Sequence, residues 1–276
     1  MRFAFALLIF VSYACSAQNG PPVYHFDHVV TYQLKYIPDS TKPEKVVTSR
    51  QVLLFNSQQS LAGALNNINA DTIIYNYLTN PGLQDHISTR FDDLQFRIIK
   101  EGNTMTTFDG FPRVLKIPPV KYQEEKSLFN WQIDADTATI ENMFCQKAEC
   151  DFGGRHWIAW FSASIPVSDG PYEFCGLPGL IVKINDQKNY YNFTFTSIVQ
   201  KDCTYPMQSV IGGFPNAKLV TKQKYLENLR ADIDNFMGLI TSVSGSASDE
   251  DRQRFQTWAN RAQTFNNWIE PYKREK

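Results

Sequence analysis

The chain has 276 residues, with 27 Lys and Arg against 28 Asp and Glu and a formal charge of −1 at pH 7. Charges of both signs are interspersed and no basic stripe is present to track phosphates, which argues against nucleic acid as a partner. The length allows one large domain or a domain with an appendage, and the high content of Phe and Tyr suits broad β-sheet faces.

Arg2 precedes an apolar run over residues 3–11 that is too short to span a bilayer, and small residues follow at Cys15-Ser16-Ala17. This pattern predicts a secretory signal over residues 1–17 and a mature start at Gln18. A lipoprotein start at Cys15 is the rival reading, but Ser12 and Tyr13 stand where acylation needs an apolar and a small residue. No later run is long and apolar enough for a transmembrane helix. The expected location is the periplasm or the outer-membrane periphery.

His25-Phe26-Asp27-His28 has the residue types of a ligand cluster. On a strand only His25 and Asp27 would share a face, and two ligands do not make a metal site. Period-two patterning then predicts strands at 29–37, 45–55, 73–78, 95–100 and 105–108, with Glu101-Gly102-Asn103 as a hairpin turn. Further strands are expected at 113–117, 138–145, 155–161, 180–185 and 190–199, and Asp186-Gln187-Lys188-Asn189 should turn the last two into a hairpin. Short strands separated by polar turns argue for an antiparallel meander. His86 lies in a polar segment with nothing nearby to orient it as a base.

Four cysteines remain after export: Cys145, Cys150, Cys175 and Cys203. An even number in an oxidising compartment predicts two disulfides, and three pairings are open. Cys175 with Cys203 is favoured because the two flank one predicted hairpin, which leaves Cys145 with Cys150. None has the spacing of a zinc site. His156 sits in an aromatic strand after Gly153-Gly154, which permit positive φ or close backbone approach. A structural role suits it better than catalysis, since no nucleophile adjoins it. The Asn192-Phe193-Thr194 sequon falls inside a predicted strand.

The run Gly170-Pro171-Tyr172-Glu173-Phe174-Cys175-Gly176-Leu177-Pro178-Gly179-Leu180-Ile181 is two turns bracketing apolar residues. Gly176 and Gly179 flank Pro178 and let the chain tighten before Leu180 and Ile181 enter a buried strand. Such a loop either plugs the end of a core or, through Gly170, Pro171, Gly176, Leu177, Pro178, Gly179, Leu180 and Ile181, contacts a ligand. Beyond it the period changes. Leu226, Leu229, Ile233, Phe236 and Ile240 form one amphipathic stripe, and Phe255, Trp258, Ala262, Phe265 and Ile269 a second. They predict a helical hairpin separated by a Ser/Gly loop at 242–248.

Residues 131–199 resemble the core of the GLPGLI family of exported Bacteroidetes proteins. The resemblance rests on Cys145-Gln146-Lys147-Ala148, Phe152-Gly153-Gly154-Arg155, Ala159-Trp160-Phe161, Ile165-Pro166, Asp169-Gly170-Pro171 and the run from Gly176 to Ile181. Residues 55–61 are similar to its N-terminal part more loosely, and Cys150 is not part of the pattern. The resemblance implies export in a Bacteroidetes-type envelope, often near TonB-dependent transport systems, and supplies no catalytic residue.

The expected fold is mainly β with α: an antiparallel meander, curved into a half-barrel, over residues 18–215, and a helical hairpin over 216–276. The expected function is a non-catalytic envelope protein without cofactor or metal. It would bind a hydrophobic ligand, a peptide or an outer-membrane partner. The alternatives are a hydrolase-like enzyme using His156 or His86 with a carboxylate, and a structural subunit of an outer-membrane assembly.

Overall fold

The computed structural model describes residues 23–80, 92–109, 120–207, 217–227 and 267–270. The signal segment, His86, the predicted strand at 113–117 and most of the predicted helical hairpin lie outside the described residues. Helical conformation begins at residues 222–227, whereas residues 267–270, expected at the end of the second helix, are not helical because their backbone is held by Arg155 and Tyr191.

The first half of the chain lays down β1 (Val23–Tyr36), β2 (Val47–Phe55), β3 (Gln59–Ala64), α1 (Leu65–Thr79), β4 (Phe96–Glu101), β5 (Thr104–Asp109) and β6 (Val120–Glu125). The second half adds β7 (Gln132–Ile140), β8 (Met143–Phe152), β9 (Arg155–Ser162), β10 (Leu180–Asp186), β11 (Tyr191–Pro206) and β12 (Lys218–Leu219). All described strands join one sheet in the order β12-β6-β5-β4-β3-β2-β1-β11-β10-β9-β8-β7. It is thus two antiparallel meanders, β1 to β6 and β7 to β11, joined where β1 pairs with β11 over nearly its full length. Only the short β12–β6 pair is parallel. The mainly β, antiparallel expectation holds, and the sheet is not closed.

Strand alternation sends one set of side chains inwards, including Tyr32, Leu34, Leu53, Ala62, Ile98, Trp157, Ala159, Ile184 and Phe193. The loop between β9 and β10 fills the space above them. Phe174 on this loop lies 4.6 Å from the Trp157 ring and 5.8 Å from the Phe152 ring. The adjacent Glu173 accepts hydrogen bonds from Thr107 on β5 (2.7 Å) and Tyr122 on β6 (2.8 Å). One loop therefore touches both meanders, and the sheet curls around it. The other face carries a smaller cluster of Val52, Leu54, Leu61, Ile99, Phe108 and Tyr205 with Ile68 of α1.

Three expectations need correction. Residues 73–78 are helical, within α1, despite their β-branched and aromatic composition. Asn67, Ile68, Asp71 and Ile74 are buried at helical spacing. Asp71 also pairs with Arg97 of β4 at 2.8 Å, so tertiary anchoring overrides strand propensity. The predicted strand at 138–145 is broken by a turn at Glu141-Asn142, both with positive φ (48° and 60°). That is the two-residue hairpin geometry whose twist matches its strands. The predicted turns at 101–103 and 186–189 occur as expected.

The third correction concerns the cysteines. Cys145, Cys150, Cys175 and Cys203 are all free thiols. Cys145 and Cys150 lie on the single strand β8, where their separation spans roughly 16 Å at about 3.3 Å per residue. A disulfide needs Cα atoms within about 7 Å. Cys175 packs in the inner core with its sulfur 3.9 Å from that of Met105. Cys203 packs against the cluster on the opposite face, so these two are kept apart as well.

Candidate functional site

The loop of residues 163–179 and the sheet surface beneath it hold the motif residues picked out from the sequence. Leu177, Gly179, Leu180 and Ile181 are buried with Gly170 and Pro171, while Gly176 and Pro178 alone of the eight reach solvent. Most of the expected contact loop therefore faces inwards. Gly179 lies so close to β9 that a Cβ there would overlap the Ser162 carbonyl. Gly176 has φ +95°, a conformation that side chains with a Cβ resist. The indole of Trp131 donates to the Cys175 carbonyl at 2.8 Å, and the Tyr32 hydroxyl donates to the Ile181 carbonyl at 2.9 Å.

Two buried charged groups pin the loop. Lys100 on β4 is fully buried and points to the same face as Ile98. Its ammonium has three donors. All three are used, on Asp169 Oδ1 (2.6 Å), the Gly170 carbonyl (3.0 Å) and the Phe174 carbonyl (3.1 Å). Ser60 on β3 donates to the other Asp169 oxygen at 2.5 Å. The second group is Glu173, which is fully buried. Besides Thr107 and Tyr122, it meets Lys222 Nζ at 3.3 Å. Lys222 also bonds Glu124 of β6 and Glu270, each at 2.6 Å. Burial works against the Lys222 ammonium, yet Glu173, Glu270 and Glu124 together raise its pKa above the ordinary value.

The Phe152-Gly153-Gly154-Arg155 stretch builds a slot for a distant part of the chain. Gly153 and Gly154 make the β8–β9 turn with φ +59° and +77°. The Glu270 side chain packs on this turn, where a Cβ at Gly153 would stand 2.5 Å from Glu270 Cγ. Arg155 pairs with Asp186 at 3.0 Å. It donates to Asn267 Oδ1 (2.7 Å) and to the carbonyls of Trp268 (2.5 Å) and Ile269 (2.9 Å). Tyr191 donates to the Asn267 carbonyl at 2.6 Å, and Asn267 donates to the Ile37 carbonyl at 2.6 Å. Tyr172 donates to Glu270 at 2.5 Å. Residues 267–270 are thereby strapped across the end of the sheet.

His25 and Asp27 share a face, and His28 joins Asp27. A bulge between Phe26 and His28 breaks the alternation. His28 Nδ1 then lies 2.6 Å from Asp27 and its ring stacks on Phe55 at 4.8 Å. His25 and Asp27 line an open groove of about 560 Å³ with Asn56, Asp202 and Cys203. Among the described residues, no group of three His, Cys, Asp or Glu side chains is placed to hold a metal ion. His156 lies on the outer face between Asp151 (Nδ1, 2.9 Å) and Glu149 (Nε2, 3.5 Å). Both ring nitrogens face carboxylates, which orients the ring but places no nucleophile beside it. Burial pushes the Cys175 thiol up to about 11 and the Cys150 thiol up to about 12, the reverse of activation.

Sequence reading missed Lys100, Arg155, Lys222 and Glu270 as organising residues. Lys100 had a signal, since it shares a strand face with Ile98. Lys222 and Glu270 had none, because their partners are remote in the chain.

A family model described as a protein of unknown function (Porph_ging) matches residues 154–183. This family of Porphyromonas gingivalis-type proteins fits a Bacteroidetes family and does not confirm the GLPGLI resemblance. The matched stretch is β9, the plugging loop and the start of β10, the same region that carries the GLPGLI resemblance. None of the curated proteins matches the chain. Among solved structures, PNGF-II is similar in its P21 and C2 crystal forms, each with TM-score 0.50 and 15% identity. The match covers 73% of this chain and 32% of PNGF-II. The chain therefore spans about a third of PNGF-II, and the likeness is one of fold alone.

Proposed function

We propose that this is an exported envelope protein that acts by binding a partner protein rather than by catalysis. A protein of the outer membrane, associated with TonB-dependent transport, is the partner class. Export follows from the signal pattern at residues 1–17 and from the family resemblance. The observation that carries the binding role is the free edge of the sheet. Among the described residues, β7 has no neighbour on its outer side. Beside it stand exposed apolar side chains, Phe144 at 68% and Ile133 at 49%. Asp134, Asp136 and a register irregularity between Ile133 and Thr137 protect the first part of β7, while residues 137–140 (Thr-Ala-Thr-Ile) carry no charge and no Pro, the devices that normally protect an edge. An extended partner segment would add to this edge through backbone hydrogen bonds and cover Phe144. The concave face lends no support to a hydrophobic ligand, since Phe174 and Leu177 fill it.

The test is capture from detergent-solubilised envelope with wild-type and Phe144→Asp protein, quantified by mass spectrometry. The reading expects a specific outer-membrane protein whose recovery falls at least tenfold with Phe144→Asp while the melting temperature stays unchanged. Equal recovery with both proteins would overturn the edge as the binding surface.

A further inference from the structure

The strap over residues 267–270 ends in a buried cluster whose charges do not balance. Glu270, Glu173 and Glu124 surround the single ammonium of Lys222 at 2.6, 3.3 and 2.6 Å. Glu173 is fully buried and Glu270 is 8% exposed. With all three carboxylates ionised the group carries a net −2, and binding one proton reduces this to −1. Among the described residues, four elements face Glu270. The loop supplies Glu173 and the neutral donor Tyr172, and β6 supplies Glu124 and the neutral Tyr122. The segment after β12 supplies Lys222, with the Tyr225 ring tilted against Tyr122 at 5.0 Å. The β8–β9 turn presents only glycine backbone, and the nearby Arg155 is already paired with Asp186. No second cation among these groups faces the cluster.

The cluster also sits at a seam. Glu124 and Lys222 belong to the β6 end of the curled sheet, while Gly153 and Phe152 belong to the β8–β9 end. Lys222 bridges the two, lying 4.8 Å from the centre of the Phe152 ring. Glu270 is the piece that ties this seam to the strap held by Arg155.

We propose that Glu270 is a pH-sensitive latch: its protonated carboxyl holds residues 267–270 down and the seam closed, and its deprotonation loosens both. This goes beyond the partner-binding role and does not depend on it. Burial, and next the charge of Glu173, raise the Glu270 carboxyl to about 7 against the opposing pull of Lys222 and Tyr172. A carboxyl with a docked pKa above its released value binds more protons when docked. Docking is strongest in acid, below the released value, and is lost progressively as pH rises through about 7.

The experiment is amide hydrogen exchange of the whole mature protein at pH 6 and pH 8, corrected for intrinsic exchange. Residues 153–157 and 267–270 are read against β2 and β3 as internal controls. For a carboxyl moving from 4.5 when released to about 7 when docked, the opening equilibrium of the strap should rise about tenfold between the two pH values. The Glu270→Gln variant mimics the protonated carboxyl and should lose this pH dependence. Should Glu270→Gln unfold, Glu173→Gln serves instead: removing that charge lowers the docked Glu270 pKa towards its released value, so the pH response should shrink and the strap should stay protected at pH 8. A wild-type strap whose protection matches the controls at both pH values would overturn the latch. So would a folded Glu270→Gln protein with the wild-type pH response.

Discussion

Gly179 and Lys100 show at the residue scale what the motif is for. The backbone of Gly179 lies against the Ser162 carbonyl, and Lys100 gives its ammonium to Asp169, Gly170 and Phe174 in the middle of the loop. Gly179→Val and Gly176→Val should each destabilise the fold, the first by backbone displacement and the second by a strained φ, at about 1–3 kcal/mol for the strain. Thermal melts of the purified variants read this directly, and unchanged melting would leave the loop as a contact surface instead of a plug. Lys100→Met should cost more, about 3–5 kcal/mol, because it leaves the buried Asp169 carboxylate without its cation. Pairing it with Asp169→Asn should recover much of the loss, which denaturant titration would show. The turn glycines were legible from sequence because glycine flanking Pro has a local meaning. Lys100 was legible only in part: it shares a strand face with Ile98, but a lysine on a strand usually reads as solvent-facing and its partner lies 69 residues away.

At the scale of elements, local pattern served where structure is local. The turns at 101–103 and 186–189 and the strands beside them were legible because hairpins are set by adjacent residues. α1 was not. Its buried face carries Asn67 and Asp71 as well as Ile68 and Ile74, so apolar residues do not fall on one helical stripe. What holds this face is the Asp71 pair with Arg97 and the hydrogen bond from Tyr205 at 2.6 Å. The cysteine expectation failed for a related reason: an even count says nothing about which face or strand each thiol occupies. Peptide mapping without reductant should recover Cys145, Cys150, Cys175 and Cys203 as free thiols. A Cys175–Cys203 bridge would contradict the placement of those residues on opposite faces of the sheet. Arg155→Lys should release the strap, since an ammonium cannot reproduce the forked contacts to Asp186, Asn267 and two carbonyls. Faster proteolysis near residues 267–270, with little change in the melting of the sheet, is the expected result.

At the scale of the whole molecule, two meanders curl around a loop supplied by one of them, and a strap from near the end of the chain ties the seam. The residues that stand out most in the sequence are those that make this closure possible. The antiparallel, mainly β plan was readable from the strand patterning. The closure was not, because it depends on contacts such as Glu173 with Tyr122 and Arg155 with Ile269 that join distant stretches. A protein built this way keeps its most recognisable residues for its own assembly, and the partner surface proposed above lies at the rim. The most direct test of that claim is abundance-normalised complementation of a deletion strain by Gly179→Val, Lys100→Met and His25, His28, His86 and His156→Ala variants. The account predicts that activity falls only as far as the amount of folded protein falls. A variant that stays folded and abundant yet lacks all activity, at His156 above all, would contradict it and place chemistry where we find architecture.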